Sequence, residues 1–273
     1  MTKHASKDLN WVIILALAMF AILLLGPYLA PYDHESIDLS SKLQGPSGQY
    51  LLGVDHLGRD ILSRLLTGAQ VTIGICFLAL GACIAIGVPL GMISGWVGGW
   101  VDWLIMRLAD IFIALPDYVV VIVLSGLLGP GYTNLLIAII VVKWVTYTRL
   151  ARSLVMQEKT SDYLQVTVLS GASAWRILSR HMIPHVAGPI LALATLDIGK
   201  VILLVASLSY IGMGVKPPSP EWGAMLNDGR AYFASDPQLM LIPGIAIFVV
   251  VLVAQWLGGQ LQRRYAVESG QER

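Results

Sequence analysis

Charge is scarce in this chain of 273 residues: Asp, Glu, Lys and Arg together make up 13%, and none of them occurs between Leu65 and Val101. A soluble domain carries roughly twice that share. Hydrophobic residues at 56%, with a mean hydropathy of +0.72, take the place of a solvated surface. The composition is that of an integral membrane protein.

Neither sign dominates. The net charge is +1, and the basic residues lie scattered between apolar runs, which excludes a nucleic-acid surface. Cysteine is nearly absent. Cys76 and Cys83 fall two helical turns apart in one apolar run with no His or carboxylate beside them, so they read as apolar filler and not as metal ligands. A catalytic constellation is also lacking. Gly199-Lys200 has the ending of a phosphate loop, but Ala194 stands five residues before Gly199, Val201 follows, and the segment is apolar. His181 and His185 are four apart, yet Pro184 is expected to break the turn between them. His56, near Asp55 and Asp60, lacks a second ligand at suitable spacing and reads as a solvated loop histidine.

What is present is a series of apolar runs, each long enough for a bilayer core that takes about 20 residues to cross. The first, Leu9 to Tyr32, follows Lys3 and Lys7. It is longer than a secretory signal and stops at Gly26-Pro27 and Pro31, so it reads as an uncleaved anchor. The lysines before it place the N-terminus in the cytoplasm. Residues 33–67 form an extracytoplasmic segment, in which Leu57, Ile61, Leu62, Leu65 and Leu66 predict an outer amphipathic helix leading into the second span. The uncharged run beyond it predicts one span from about Gly68 to Ile93 and a Gly- and Trp-rich turn, with Trp96, Trp100 and Trp103 at the inner interface.

The third span is predicted from Asp102 to Leu128, kinked at Pro116, with Arg107 paired to Asp110 on the same helix. The fourth runs from Asn134 to Leu150 and carries Lys143. From Arg149 to His185 five basic residues face two acidic ones, which makes that loop cytoplasmic. The fifth span, Val186 to Gly214, holds Asp197 and Lys200; Lys216 to Asp236 is an outer loop; the sixth, Pro237 to Leu261, ends at Arg263 and Arg264. The membrane-spanning core from the second span onward thus covers 68–262, with the cytoplasmic loop at 157–185, and residues 263–273 form a cytoplasmic tail. Buried charge in a membrane is costly and marks function or helix pairing. Lys143, Asp110, Asp197 and Lys200 are accordingly translocation-path candidates, with mutual neutralisation that holds helices in register as the alternative.

The most polar interruption of the second half is Asp162 to Pro184. Its spacing predicts a short helix over Asp162–Leu169, a break at Ser170-Gly171-Ala172, and a second, amphipathic helix over Ser173–Met182. Such a helix-turn-helix on the membrane face is suited to docking into a partner's groove.

The order Asp162-Tyr163, Gly171-Ala172-Ser173, Arg176, Arg180-His181, Ile183-Pro184 resembles the EAA loop of permease subunits in binding-protein-dependent ABC importers. LGVDHLGRDILSRL at Leu52 to Leu65, GVPLG at Gly87 to Gly91, MRLADIFIALP at Met106 to Pro116, LGPG at Leu128 to Gly131, SLSYIGMGVKPPSPEWGAML at Ser207 to Leu226 and Pro243-Gly244 are similar to the dipeptide, oligopeptide and nickel group. Within it, ATLDIG, GYTNLLIAI and EWGAMLNDGRAYF look most like nickel importer subunits. The resemblance implies an all-α membrane protein of six transmembrane helices with the ABC importer type I permease fold, an outer segment after helix 1 and a coupling helix between helices 4 and 5. It also implies docking of an ATPase through Gln165, Leu169, Ser170, Gly171, Ala172, Ser173, Trp175, Arg176 and Arg180.

The implied partners are a homologous permease in a heterodimer, two ATP-binding subunits, an extracytoplasmic binding protein and membrane lipid, in the bacterial inner membrane with both termini cytoplasmic. No cofactor is expected in this chain, ATP and Mg belonging to the partners. The family's Glu-Ala-Ala is replaced by Gln165-Val166-Thr167. An ion-gradient-driven secondary transporter is the rival function, with the intramembrane charges as coupling groups.

Overall fold

The computed structural model describes residue 21 and residues 25–271, with side chains followed to residue 263. The predicted first span lies outside the described residues apart from its end, where residues 25–29 are helical. Beyond an outer segment of turns over residues 30–60, the described residues form eight helices joined by short connections: α1 Ile61–Val97, α2 Gly99–Ile113, α3 Asp117–Leu128, α4 Tyr132–Glu158, α5 Asp162–Leu169, α6 Ala174–Tyr210, α7 Trp222–Gly229 and α8 Gln238–Gln271. Four of these are long and apolar enough to cross a membrane, in α8 over Gln238–Arg263, and α2 with α3 make a fifth candidate span bent by 83°. The described parts divide into two compact units, one from Met1–Leu78, Ile122–Leu136 and Ile198–Leu257, the other from Ala79–Val121, Ile137–Asp197 and Gly258–Arg273.

In the first unit the outer segment is fastened by charge. Asp55 accepts from the backbone N–H groups of Leu57 and Arg59, and the Arg59 guanidinium binds it at 2.6 Å. Arg59 and Arg64, both buried, also reach Asp228. Gly58 at φ +77° lies so close to the Asp38 carbonyl that a Cβ would stand 1.7 Å from it. Asp60 caps the next helix by accepting from Ser63 N–H at 2.7 Å. α1 therefore starts at Ile61 and runs through without a break, which corrects the separate amphipathic helix and the start at Gly68.

The outer loop at Lys216 to Asp236 is more than a loop. It contains α7, whose Trp222, Gly223, Met225 and Gly229 are buried. The Trp222 indole donates to the Leu65 carbonyl at 2.9 Å. Glu221, fully buried, accepts from Gly223 N–H, Ala224 N–H and the Thr72 hydroxyl. Burial pushes its carboxyl up from the ordinary range, against the opposing pull of those donors and of the Ser209 hydroxyl. The raised value sets the sign: the unfolded chain ionises first, so stability falls as pH rises from the ordinary glutamate range through the raised value. Glu221→Gln should remove that slope in thermal unfolding measured across pH. Glu221→Ala, which leaves three buried donors unpaired, should cost about 3 kcal/mol.

In the second unit α1 and α4 approach backbone to backbone along Gly87, Gly91 and Gly95. A Cβ on these residues would lie 2.5, 2.2 and 2.8 Å from the carbonyl oxygens of Trp144, Thr148 and Arg152. Small residues at four-residue spacing are how membrane helices gain contact area without a hydrophobic driving force. Beside the ridge, Trp144 packs on Ala109, Val145, Leu90 and Phe112, the last edge-on at 5.9 Å.

Several boundaries differ from expectation. α4 extends two turns beyond Leu150. Pro184 does not end a helix, because α6 takes the wider π turn over Leu178–Met182 just ahead of it, with Ile183 N–H donating to the Leu178 carbonyl. The second helix of the polar loop and the fifth span are thus one element, which ends at Tyr210 and not Gly214. α8 likewise continues past Leu261.

Candidate functional site

The stretch from Asp162 to Met182 folds as a helix, a glycine turn and the head of a longer helix. Ser170 caps α5, its N–H bonded to the Val166 carbonyl; Gly171 takes φ +78°, a left-handed conformation that glycine adopts without steric cost; Ser173 caps α6 by accepting from Arg176 N–H. Leu164 and Ile177, each 1% exposed, anchor the two arms. The outer face is open: Gln165, Leu169, Ser170, Gly171, Ser173, Trp175, Arg176 and Arg180 are exposed and Ala172 is half-buried. Leu169 at 86% and Trp175 at 79% put two large apolar side chains on this open face.

The support of this face comes from neighbouring helix ends. Lys159 donates to the Trp96 carbonyl at 2.7 Å and lies over its ring. A groove of about 480 Å³ opens between these residues and Leu164, Gln165, Val168 and Leu169. Tyr163 meets His185 at 3.2 Å, and Glu158 lies 3.9 Å from the same ring nitrogen. That engagement, and not a break at Pro184, sets His185 apart from His181. Among the described residues no group of three metal-ligating side chains occurs. Where the family's glutamate stood, the Gln165 amide turns back on its own chain and donates to the Thr160 carbonyl at 3.3 Å.

A second arrangement lies between the bent third span and α4. Asp102 is gripped by Arg152 at 2.5 and 2.6 Å and by the Ser94 hydroxyl. Asp110 pairs with Arg149, and Asp117 with Lys143 at 2.6 Å. The acids run 102, 110, 117 and the bases 152, 149, 143, so α2 and α3 on one side and α4 on the other form a three-rung ladder across the break at Pro116. This corrects the expected Arg107–Asp110 pair: Asp110 turns to α4, and Arg107 lies over the Trp103 ring at 5.9 Å. Sequence reasoning left out Asp117, Arg149 and Arg152: the acids recur at eight- and seven-residue spacing, but the bases at 143, 149 and 152 follow no single helix face, and only the packing against α4 brings them together. Asp197, 2% exposed, accepts from the buried Tyr147 hydroxyl at 3.2 Å, while Lys200 one turn on is exposed.

Residues 87–267 match the family described as binding-protein-dependent transport system inner membrane component. The chain belongs to this family. The permease is 40% identical to the nickel transport system permease protein NikC of Escherichia coli (strain K12) over 257 residues, 93% of either chain. It is 35% identical to the dipeptide transport system permease protein DppC of Alkalihalophilus pseudofirmus, covering 95% of this chain and 85% of that one. Against the glutathione transport system permease protein GsiD of Pectobacterium atrosepticum the identity is 36%, over 91% and 83%.

Among solved structures, an inward-facing form of the MetNI methionine ABC transporter superposes with a TM-score of 0.56 at 14% identity, over 74% of this permease and 95% of that chain. An amino acid ABC transporter crystallised with histidines gives 0.55 at 15%, over 74% and 94%. The fold is that of ABC importer permeases. The chain is an inner-membrane component of an ABC importer and not an enzyme, ATP hydrolysis belonging to separate subunits. The secondary-transporter reading is set aside.

Proposed function

We propose that this permease forms half of the pathway for nickel, free or chelated, or for short peptides, paired with a homologous permease as a heterodimer on two ATP-binding subunits. An extracytoplasmic binding protein delivers the cargo. Both termini lie in the cytoplasm of a bacterial cell, as the charge bias of the loops supports. ATP and Mg sit in the partner subunits. ATP-driven closure moves the docked α5, the helices open outward, the binding protein releases its cargo, and hydrolysis resets the cycle.

The observation that carries this reading is the exposed face of Gln165, Leu169, Ser170, Gly171, Ser173, Trp175, Arg176 and Arg180, with Ala172 at its turn, held on buried Leu164 and Ile177. Lys143, Asp110, Asp197 and Lys200 are the proposed pathway residues. The 40% identity to a nickel permease supports nickel, and peptide permeases at 35% and 36% keep peptides as the second cargo. The test is uptake of labelled nickel, nickel-histidine and a labelled dipeptide in a strain deleted for this chain and then complemented. Restored, ATP-dependent uptake of one of them is expected; uptake driven by an ion gradient without the ATPase would contradict the mechanism.

A further inference from the structure

In a membrane-crossing segment, an ionic side chain open to its surroundings faces water or another protein and not hydrocarbon. Two rungs of the ladder are open in this way: Asp110 and Arg149 are 49% and 45% exposed, and Asp117 is 43% exposed. Along the same flank an open cavity of about 330 Å³ is lined by Asp102, Trp103, Met106, Arg107, Asp110 and Arg152. The opposite flank of α2 is apolar, with Leu104, Leu108 and Ile111 exposed. One helix thus presents a polar groove on one side and a lipid-compatible surface on the other.

The charges in this groove do not cancel. Each of Asp102, Asp110 and Asp117 is claimed by a base on α4. Arg107 has no carboxylate within 4 Å among the described residues and rests on the Trp103 ring. It stands eight residues into α2, about 12 Å along the helix from Gly99. A bare metal cation passing here meets no unclaimed acid. A carboxylate meets a guanidinium held ready, with the two-pronged geometry that binds such groups.

We propose that this groove is a water-filled part of the translocation path and that Arg107 receives the carboxylate of passing cargo, as carried by a peptide or by a metal chelate. The assignment rests on the permease reading. Its ligand is then an anionic group, and the ladder serves to occupy the acids that would otherwise trap cations.

The test uses charged thiol reagents on the assembled transporter in inside-out vesicles. The chain's own Cys76 and Cys83 are buried, so background labelling is low. Met106→Cys is reacted with a sulfonate-bearing and with a trimethylammonium-bearing methanethiosulfonate, each rate being divided by that for a free thiol in solution. An unpaired positive charge close by should favour the anionic reagent by about fivefold. The ratio should fall to about one in the Met106→Cys, Arg107→Gln double variant, and Leu108→Cys should react with neither reagent. If Met106→Cys does not assemble, Trp103→Cys on the same rim reads the same field. Failure of both reagents to reach the rim, as expected if lipid or the partner permease covers it, overturns the proposal. So does a ratio that Arg107→Gln leaves unchanged. Uptake by the unsubstituted transporter judges the permease reading separately.

Discussion

Gly171→Arg should leave the chain inserted and folded while reducing transport at least tenfold, and the ATP-binding subunit should no longer co-purify with it. The reasoning starts from the backbone. At φ +78° a residue with a side chain pays roughly 1–2 kcal/mol for the left-handed conformation, which is too little to unfold a packed helical protein. Space is not limiting within the chain, since nothing lies within 4 Å of the position a Cβ would take. The added bulk therefore meets no other group of this chain at its Cβ and stands on the exposed face that carries Leu169 and Trp175, the face proposed to dock the partner. Gly171→Asn separates the two effects, because asparagine tolerates the left-handed region and adds little volume; it should retain most transport. Normal recovery of the ATPase with Gly171→Arg would remove this face as the docking site.

The second large effect is structural. Gly91→Leu should abolish accumulation of folded protein, because the carbonyl of Thr148 lies where its Cβ must go and the Ala151 Cβ lies 2.8 Å from the same point. Neither is the end of a flexible side chain, so α1 and α4 must separate, opening the contacts at Gly87 and Gly95 as well. Overpacking of this kind costs about 3 kcal/mol or more. Gly81 on the same helix has nothing within 4 Å of its Cβ position, and Gly81→Leu should unfold at or above the temperature of the unsubstituted chain in detergent, since leucine is the better helix former. Equal losses for the two variants would show that the glycine ridge is not what brings these helices together.

The apolar runs were readable from the sequence because hydrocarbon permits few solutions: a segment without Asp, Glu, Lys or Arg from Leu65 to Val101 has to cross. The boundaries of α5 and the turn at Gly171 were also legible, since a helix period, a glycine and a capping serine fall in order there. Other features depended on distant partners. The start of α1 at Ile61 rests on Asp55, Asp228 and the Asp38 backbone packing around Arg59 and Gly58, none of which local periodicity reveals. Passage of α6 through Pro184 depends on a π turn that reroutes one hydrogen bond. Local spacing suggested that Arg107 would pair with Asp110, but a base on α4 competed better. Glu221 was hidden inside a Pro-rich loop, and its role emerged only where Thr72 and the first amides of α7 converged on it.

The central claim is that an ATP-driven subunit grips the chain at the outer face of α5 and the head of α6. Cross-linking from Leu169→Cys in native membranes, with Leu51→Cys in the outer segment as the comparison position, tests it most directly. The account predicts a covalent adduct between this chain and the ATP-binding subunit from Leu169→Cys, with a yield that changes when ATP is added, and no such adduct from Leu51→Cys. An adduct with the ATP-binding subunit from Leu51→Cys, or none from Leu169→Cys in a transporter that still takes up cargo, would contradict it.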